Sequence, residues 1–180
     1  TEVSLSKLAF TIFLNLLITV VQIVGGIISG SLALISDAIH NLSDSISVIL
    51  AYVAQVLSSK PASHKSTFGY KRAEILAAFI NAIALIGISV YLVFEAVDRF
   101  LNPQEVDAKW MFWLGLVGLV ANGISVLVLE HEKHKSLNIK AAYLHLLGDA
   151  LTSLAVVFGA LLIWFYKIFW IDSAVTILIS

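Results

Sequence analysis

Ser36-Asp37-Ala38-Ile39-His40-Asn41-Leu42-Ser43-Asp44 puts three ionisable side chains into an otherwise apolar run from Leu32 to Leu57. His40 and Asp44 are four residues apart, so on a helix they lie one turn from each other on one face. Asp37 precedes Asp44 by two turns on the same stripe. The pattern returns in His145-Leu146-Leu147-Gly148-Asp149, again His-x-x-x-Asp inside a long apolar run. Two such pairs on two buried helices offer four metal ligands. The rest of the chain reads as the scaffold that brings them together.

Composition sets the medium. The 180 residues are 59% hydrophobic and only 13% charged, with a mean hydropathy of +0.96. A soluble domain carries about 25% charged residues, so this is an all-α, polytopic membrane protein in which run length decides the spans. Six apolar segments can be drawn, roughly 5–29, 32–57, 73–100, 109–129, 138–165 and 168–180, within one transmembrane domain covering residues 1–180. The third is longer than a bilayer needs and is expected to tilt or protrude. A cleavable signal peptide is not expected, because the first apolar run is long enough to span and lacks a cleavage site. The chain reads as trimmed at both ends.

Charge fixes an expected orientation. With the N-terminus inside, the inner side holds Lys7, Lys60, Lys65, Lys71, Arg72, Lys133, Lys135 and Lys140, and the outer side Arg99, Lys109 and Lys167. That is 8 against 3 of the 11 basic residues, which places both termini in the cytoplasm. Trp110, Trp113, Trp164 and Trp170 all fall near outer ends of spans, as interfacial anchors do. The net charge of -1 gives no case for nucleic acid. The absence of cysteine excludes disulfides and thiolate metal sites.

The site chemistry follows from the medium. A charged group at mid-bilayer costs about 2.5–3.5 kcal/mol by insertion scales, and Asp44 and Asp149 each lie near the middle of a span. A dication between them removes that problem. The second and fifth spans run in opposite directions, so His40 can face Asp149. Two nitrogens and two oxygens at about 2.0–2.2 Å from one centre make a tetrahedral set suited to zinc. Magnesium and calcium want six or more oxygens. Copper(I) wants sulfur, and Met111 is the sole sulfur in the chain. Zinc therefore comes first, with cobalt, cadmium, nickel and iron(II) behind it. Binding needs neutral imidazole and ionised carboxylate, so metal and protons displace each other. The expected activity is proton-coupled zinc antiport, carried by His40, Asp44, His145 and Asp149.

These residues, together with Phe68-Gly69-Tyr70-Lys71-Arg72-Ala73-Glu74 at the start of the third span, resemble the cation diffusion facilitator family of zinc transporters. The likeness is closest to its bacterial cobalt-zinc-cadmium resistance branch and covers essentially the whole chain. The resemblance implies a homodimer in the bacterial inner membrane, alternating between inward-facing and outward-facing states and exporting metal from the cytoplasm. It also implies that His40, rather than Asp, at the first ligand position favours zinc. Relatives continue into a cytoplasmic ferredoxin-like domain, which is not expected within these 180 residues. They often begin the sixth span with Asp-Pro where Asp172-Ser173 stands here, leaving the role of Asp172 open.

Plainer readings sit beside these. The four candidate ligands read alternatively as hydrogen-bonded helix glue. Asp37 reads equally as a relay residue on the outer side of the site or as a structural partner. Asn41, Ser45, Ser47, Gln22, Asn81 and Asn122 read as interhelical hydrogen-bonding groups, and Glu95 with Arg99 as an i,i+4 pair. Gly26 and Gly30 read as a Gly-x-x-x-Gly packing motif. His64, and His131 with His134 in Glu130-His131-Glu132-Lys133-His134, read first as solvated loop residues and second as metal-attracting ones. Asn15 and Asn122 precede His40 and His145 by similar intervals, a weak sign of inverted repeats. A membrane haem carrier with His40 and His145 as axial ligands and a non-transporting zinc module are the rival functions. His-Glu-x-x-His is absent, so an intramembrane zinc protease is not expected, nor any other enzyme.

Overall fold

A computed structural model describes residues 5–58, 71–130 and 137–180. Among them the chain is entirely helical in its regular structure, with α1 Leu5–Ser29, α2 Leu32–Ser58, α3 Lys71–Leu101, α4 Ala108–Glu130, α5 Leu137–Tyr166 and α6 Trp170–Ile179. The limits expected from run length fall within two residues of these. Lys60, His64, Lys65, Phe68, Gly69 and Tyr70 lie outside the described residues, as do His131 to His134.

Helices α3, α4 and α5 hold stretches long and apolar enough to cross a membrane: Ala78–Leu101, Ala108–Val128 and Tyr143–Tyr166. Helices α1 and α6 add the shorter apolar stretches Asn15–Ser29 and Trp170–Ile179. Helix α2 interrupts its apolar run with Asp37, His40, Asp44 and several serines. The outward faces are hydrocarbon-like: Ile75, Leu76, Phe79, Ile80, Ile83 and Ile86 of α3 are all exposed, as suits lipid rather than water. Helix α3, at 31 residues, is about 46 Å long, so in a bilayer about 30 Å thick it tilts or its end protrudes.

The α1–α2, α3–α4 and α5–α6 connections are short and meet at one end of the bundle, here termed the turn end. Several hydrogen bonds tie its backbone together. Gly30 takes φ 74°, the left-handed geometry that closes a helix, and Lys167 does the same after α5 with φ 55°. Ser31 caps α2, its Oγ accepting from Leu34 N at 3.1 Å. Asp107 caps α4, its Oδ1 accepting from Lys109 N at 3.1 Å. Asp107 N donates to Ser29 O at 2.8 Å, and Arg99 Nη1 to Gly30 O at 2.8 Å. Such internal satisfaction is what a low-dielectric surrounding demands.

Asp172 of α6 supplies a second cap for α2 from the far end of the chain. Its Oδ1 accepts from Ser31 Oγ at 2.6 Å and Ala33 N at 3.3 Å, and its Oδ2 from Leu32 N at 2.8 Å. A carboxylate on the first amides of a helix also meets the positive end of the helix dipole. Ser36 and Ser180 share a further α2–α6 hydrogen bond of 2.9 Å.

The apolar core lies at the same end. Ala33, Leu34, Val106, Ala108, Met111, Val156, Ala160 and Ile163 form one buried cluster, edged by Phe112, Trp164 and Phe169. Trp110, Trp113 and Trp170 are exposed around it, and Lys109 Nζ sits 6.0 Å over the Trp164 ring, forming an aromatic girdle. Helices α4 and α5 pack most extensively against each other. The Gly-x-x-x-Gly expectation is corrected in part. A Cβ on Gly26 would meet Ile35 of α2 at 2.5 Å, so Gly26 does seat a helix contact. Gly30 serves the turn instead, and the closest approach belongs to Gly25 against Leu114 of α4. Three expected interhelical bonds are present: Gln22 Nε2 to Leu114 O at 2.8 Å, Asn81 Nδ2 to Ser43 Oγ at 3.0 Å and Asn122 Nδ2 to Ser153 Oγ at 3.2 Å.

Candidate metal centre

Helices α2 and α5 present their polar stripes to each other because those stripes cannot face lipid. On α2, Asp37, His40 and Asp44 follow at helical intervals; on α5, His145 and Asp149 do so, continued by Thr152 and Ser153. Antiparallel packing pairs them crosswise. His40 Nε2 lies 3.8 Å from Asp149 Oδ1, and His145 Nε2 lies 3.2 Å from Asp44 Oδ2 and 3.6 Å from Asp149 Oδ2. One ligand atom each of His40, Asp44 and Asp149 falls within a mutual 4.8 Å. The two imidazole centroids are 6.3 Å apart and tilted by 41°.

These separations have a chemical meaning. A tetrahedron with its corners about 2.0–2.1 Å from the centre has edges of about 3.3–3.4 Å. The three nitrogen–oxygen distances of 3.2, 3.6 and 3.8 Å lie near that edge, the last two reaching different oxygens of Asp149, and His145 approaches Asp44 and Asp149 without joining the close group of His40, Asp44 and Asp149. Asp44 Oδ2 is buried and takes no hydrogen bond, although His145 Nε2 stands 3.2 Å away. The two atoms are near each other without pointing at each other, as ligands aimed at a shared third point would be. Zinc-type coordination therefore fits the donor set.

The centre is open on one side. The His145, His40 and Asp44 side chains are 53%, 43% and 36% exposed, whereas Asp149 is 7% exposed. On the turn side, Asp37 is buried, at 2%. Its Oδ1 accepts from Thr152 Oγ1 and its Oδ2 from Ser153 Oγ, both at 2.9 Å. Ser153 Oγ in turn accepts from Asn122 Nδ2 of α4. Thr152 and Ser153 were missing from the sequence reading; their signal was the spacing of three and four residues beyond Asp149. Ser45, beside Asp44, accepts from Asn15 Nδ2 at 2.7 Å, and Ser47 Oγ donates to Ser43 O at 2.9 Å. Asn41 gives Ser45 its carbonyl at 3.0 Å. Glu95 and Arg99 pair at 2.9 Å.

Residues 8–180 match the cation efflux transmembrane domain. The chain belongs to the cation efflux family. It is 43% identical over 163 residues to the cadmium, cobalt and zinc/H(+)-K(+) antiporter of Bacillus velezensis, covering 89% of this chain and 52% of that protein. It is 42% identical over 161 residues to the metal cation efflux system protein CzcD of Cupriavidus metallidurans, covering 89% and 51%. Against the zinc transporter ZitB of Escherichia coli it is 44% identical over 144 residues, covering 79% and 46%. The chain thus spans about half the length of these relatives. Family membership argues against the haem carrier, as does the Asp149 carboxylate, which lies within 3.8 Å of both imidazole Nε2 atoms, where a porphyrin would have to pass.

Proposed function

We propose that residues 1–180 form the transmembrane unit of a proton-coupled carrier, not an enzyme, that exports zinc from the cytoplasm. The ion is held by His40, Asp44, His145 and Asp149, two ligands from each of α2 and α5. The observation that carries the reading is the approach of ligand atoms of His40, Asp44 and Asp149 to within 4.8 Å of one another, with His145 Nε2 3.2 Å from Asp44 Oδ2. The relatives' names support metal cation transport, with zinc, cadmium and cobalt among the ions. His2Asp2 chemistry favours zinc, with cadmium and cobalt next and nickel and iron(II) after them.

Proton coupling follows from the same donors. Zinc needs the imidazoles neutral and the carboxylates ionised, so protons entering the open centre drive the ion out. The excess of basic residues at the α2–α3 and α4–α5 connections supports a cytoplasmic location for that end, with the turn end outside. Family resemblance supports a homodimer in the bacterial inner membrane.

Calorimetry of zinc binding to the intact protein and to Asp149→Ala, from about pH 6 to about pH 8, tests the site and the released protons together. Zinc uptake into vesicles with and without a pH gradient tests the coupling. A His40→Ala protein that moved zinc as fast as the parent would sink the ligand assignment. Uptake indifferent to the gradient would remove the coupling alone.

A further inference from the structure

The geometry points to Asp37, clipped to Thr152 and Ser153, as the gate that closes the turn-end exit of the metal centre. This inference rests on the carrier reading above. Asp37 precedes His40 by three residues, about 4.5 Å along the helix toward the turn end. Thr152 and Ser153 lie the same step beyond Asp149 on α5. The three side chains therefore form the next layer past the ligands, and they join the two helices that carry all four ligands.

Beyond that layer the space between α2 and α5 is apolar and filled. Ala33, Leu34, Val156 and Ala160 are fully buried there, and the polar groups at this end of α2, Ser31, Ser36 and Asp172, are already engaged in hydrogen bonds. An ion leaving toward the turn end must pass where α2 and α5 now touch, so the helices must part there. The Ser153 hydrogen bond holds them together at the first step, aided by Thr152 Oγ1, which shares its one proton between Asp37 Oδ1 and Asp149 O, each 2.9 Å away. Hydrogen bonds to a charged acceptor in a dry layer are strong, yet each can be exchanged for water once the layer opens. An apolar contact in the same place would close equally well, but would offer the ion nothing on release. A freed Asp37 carboxylate turns the same layer into a hydrated, negatively charged passage. Asp37 is thus a positioning residue for transport and lies outside the ligand set.

The test uses an introduced thiol, since these 180 residues contain no cysteine. Ala33→Cys puts a sulfur one turn past Asp37 on the same helix face, in the intact protein with any cysteine outside this chain replaced by serine. Its labelling by a membrane-impermeant methanethiosulfonate added at the turn-end side is compared with and without the clip. The clip is removed by Thr152→Val with Ser153→Ala, or by Asp37→Ala; Thr152→Ser preserves it. We expect labelling to rise about tenfold when the clip is lost, net zinc uptake to fall, and zinc affinity to stay within about twofold of the Ala33→Cys background. Thr152→Ser should match that background. Labelling that does not change in correctly folded variants overturns the gate, leaving Asp37 as helix glue. Zinc affinity that falls as far as in Asp149→Ala also overturns it, making Asp37 a ligand. If the Ala33→Cys background binds no zinc while labelling still responds to the clip, the gate stands and the metal reading fails.

Discussion

On the turn side of His40, helix α2 buries Leu32, Ala33, Leu34, Ser36, Asp37 and Ala38. On the other side, among the described side chains, only Ser43 and Ser45 are buried, and Ser47 and Val53 are exposed. Helix α5 repeats the contrast in reverse chain direction. Ser153, Val156, Ala160 and Ile163 are buried, whereas Leu144 and His145 are exposed. Helix termini at the turn end are capped by Ser31, Asp107 and Asp172. The metal centre lies at the seam between these two halves, reachable from the looser one and shut off from the tighter one. A carrier that exposes its site to one side at a time needs this asymmetry in each end state. The contrast therefore carries as much functional information as the ligands themselves.

The largest effect should come from the residue that bridges the seam. Asp149 is the buried member of the proposed ligand set, and its two oxygens approach both histidines. Removing a group that merely orients a ligand costs about 10–100-fold in metal affinity, so Asp149→Ala should lower zinc affinity by more than about 100-fold. Calorimetry reads this directly. A drop of only a few-fold would mean that the exposed half holds the ion without help from the packed one. Next in size is Asp172→Ala. It leaves Leu32 N and Ala33 N without their carboxylate acceptor in a buried setting, at about 2–4 kcal/mol. Thermal unfolding in detergent should show a large loss of stability, with Asp172→Asn intermediate. Zinc affinity of the surviving folded protein should change little, because the cap lies two turns from His40.

How much of this could be read in the sequence depends on range. Helix limits followed from apolar run length, which a bilayer imposes locally. The crosswise approach of His40 to Asp149 followed from two i,i+4 pairs on antiparallel spans. The second cap on α2 did not, since Asp172 is 140 residues from Leu32 and nothing in either stretch names the other. Thr152 and Ser153 stood at the right spacing, but hydroxyls in membrane helices more often bond their own backbone, as Thr176 does to Asp172 O and Thr152 also does to Asp149 O. Gly30 looked like a packing glycine because Gly-x-x-x-Gly is blind to where a helix ends. The two asparagines of the suspected repeat both reach serines on ligand helices, yet at different offsets from their histidines: Ser45 follows His40 by five residues, and Ser153 follows His145 by eight. The likeness therefore does not hold in register.

The glycines of α4 sharpen the comparison at smaller scale. A Cβ on Gly118 would stand 2.5 Å from Gln22 Nε2, which now donates to Leu114 O. Gly118→Ala should push that amide off its buried acceptor and destabilise the protein by about 1–2 kcal/mol. Five residues along the same helix, toward the looser half, a Cβ on Gly123 meets nothing within 4 Å. Gly123→Ala should therefore stabilise by about 0.5–1 kcal/mol, since alanine loses less backbone freedom in a helix and nothing has to move. Paired melting curves would read both changes in one experiment. Opposite signs mean the packing boundary lies between residues 118 and 123 of α4. If Gly123→Ala also destabilises, the looser half is packed against something, and a second copy of the chain is the first candidate to test by its concentration dependence.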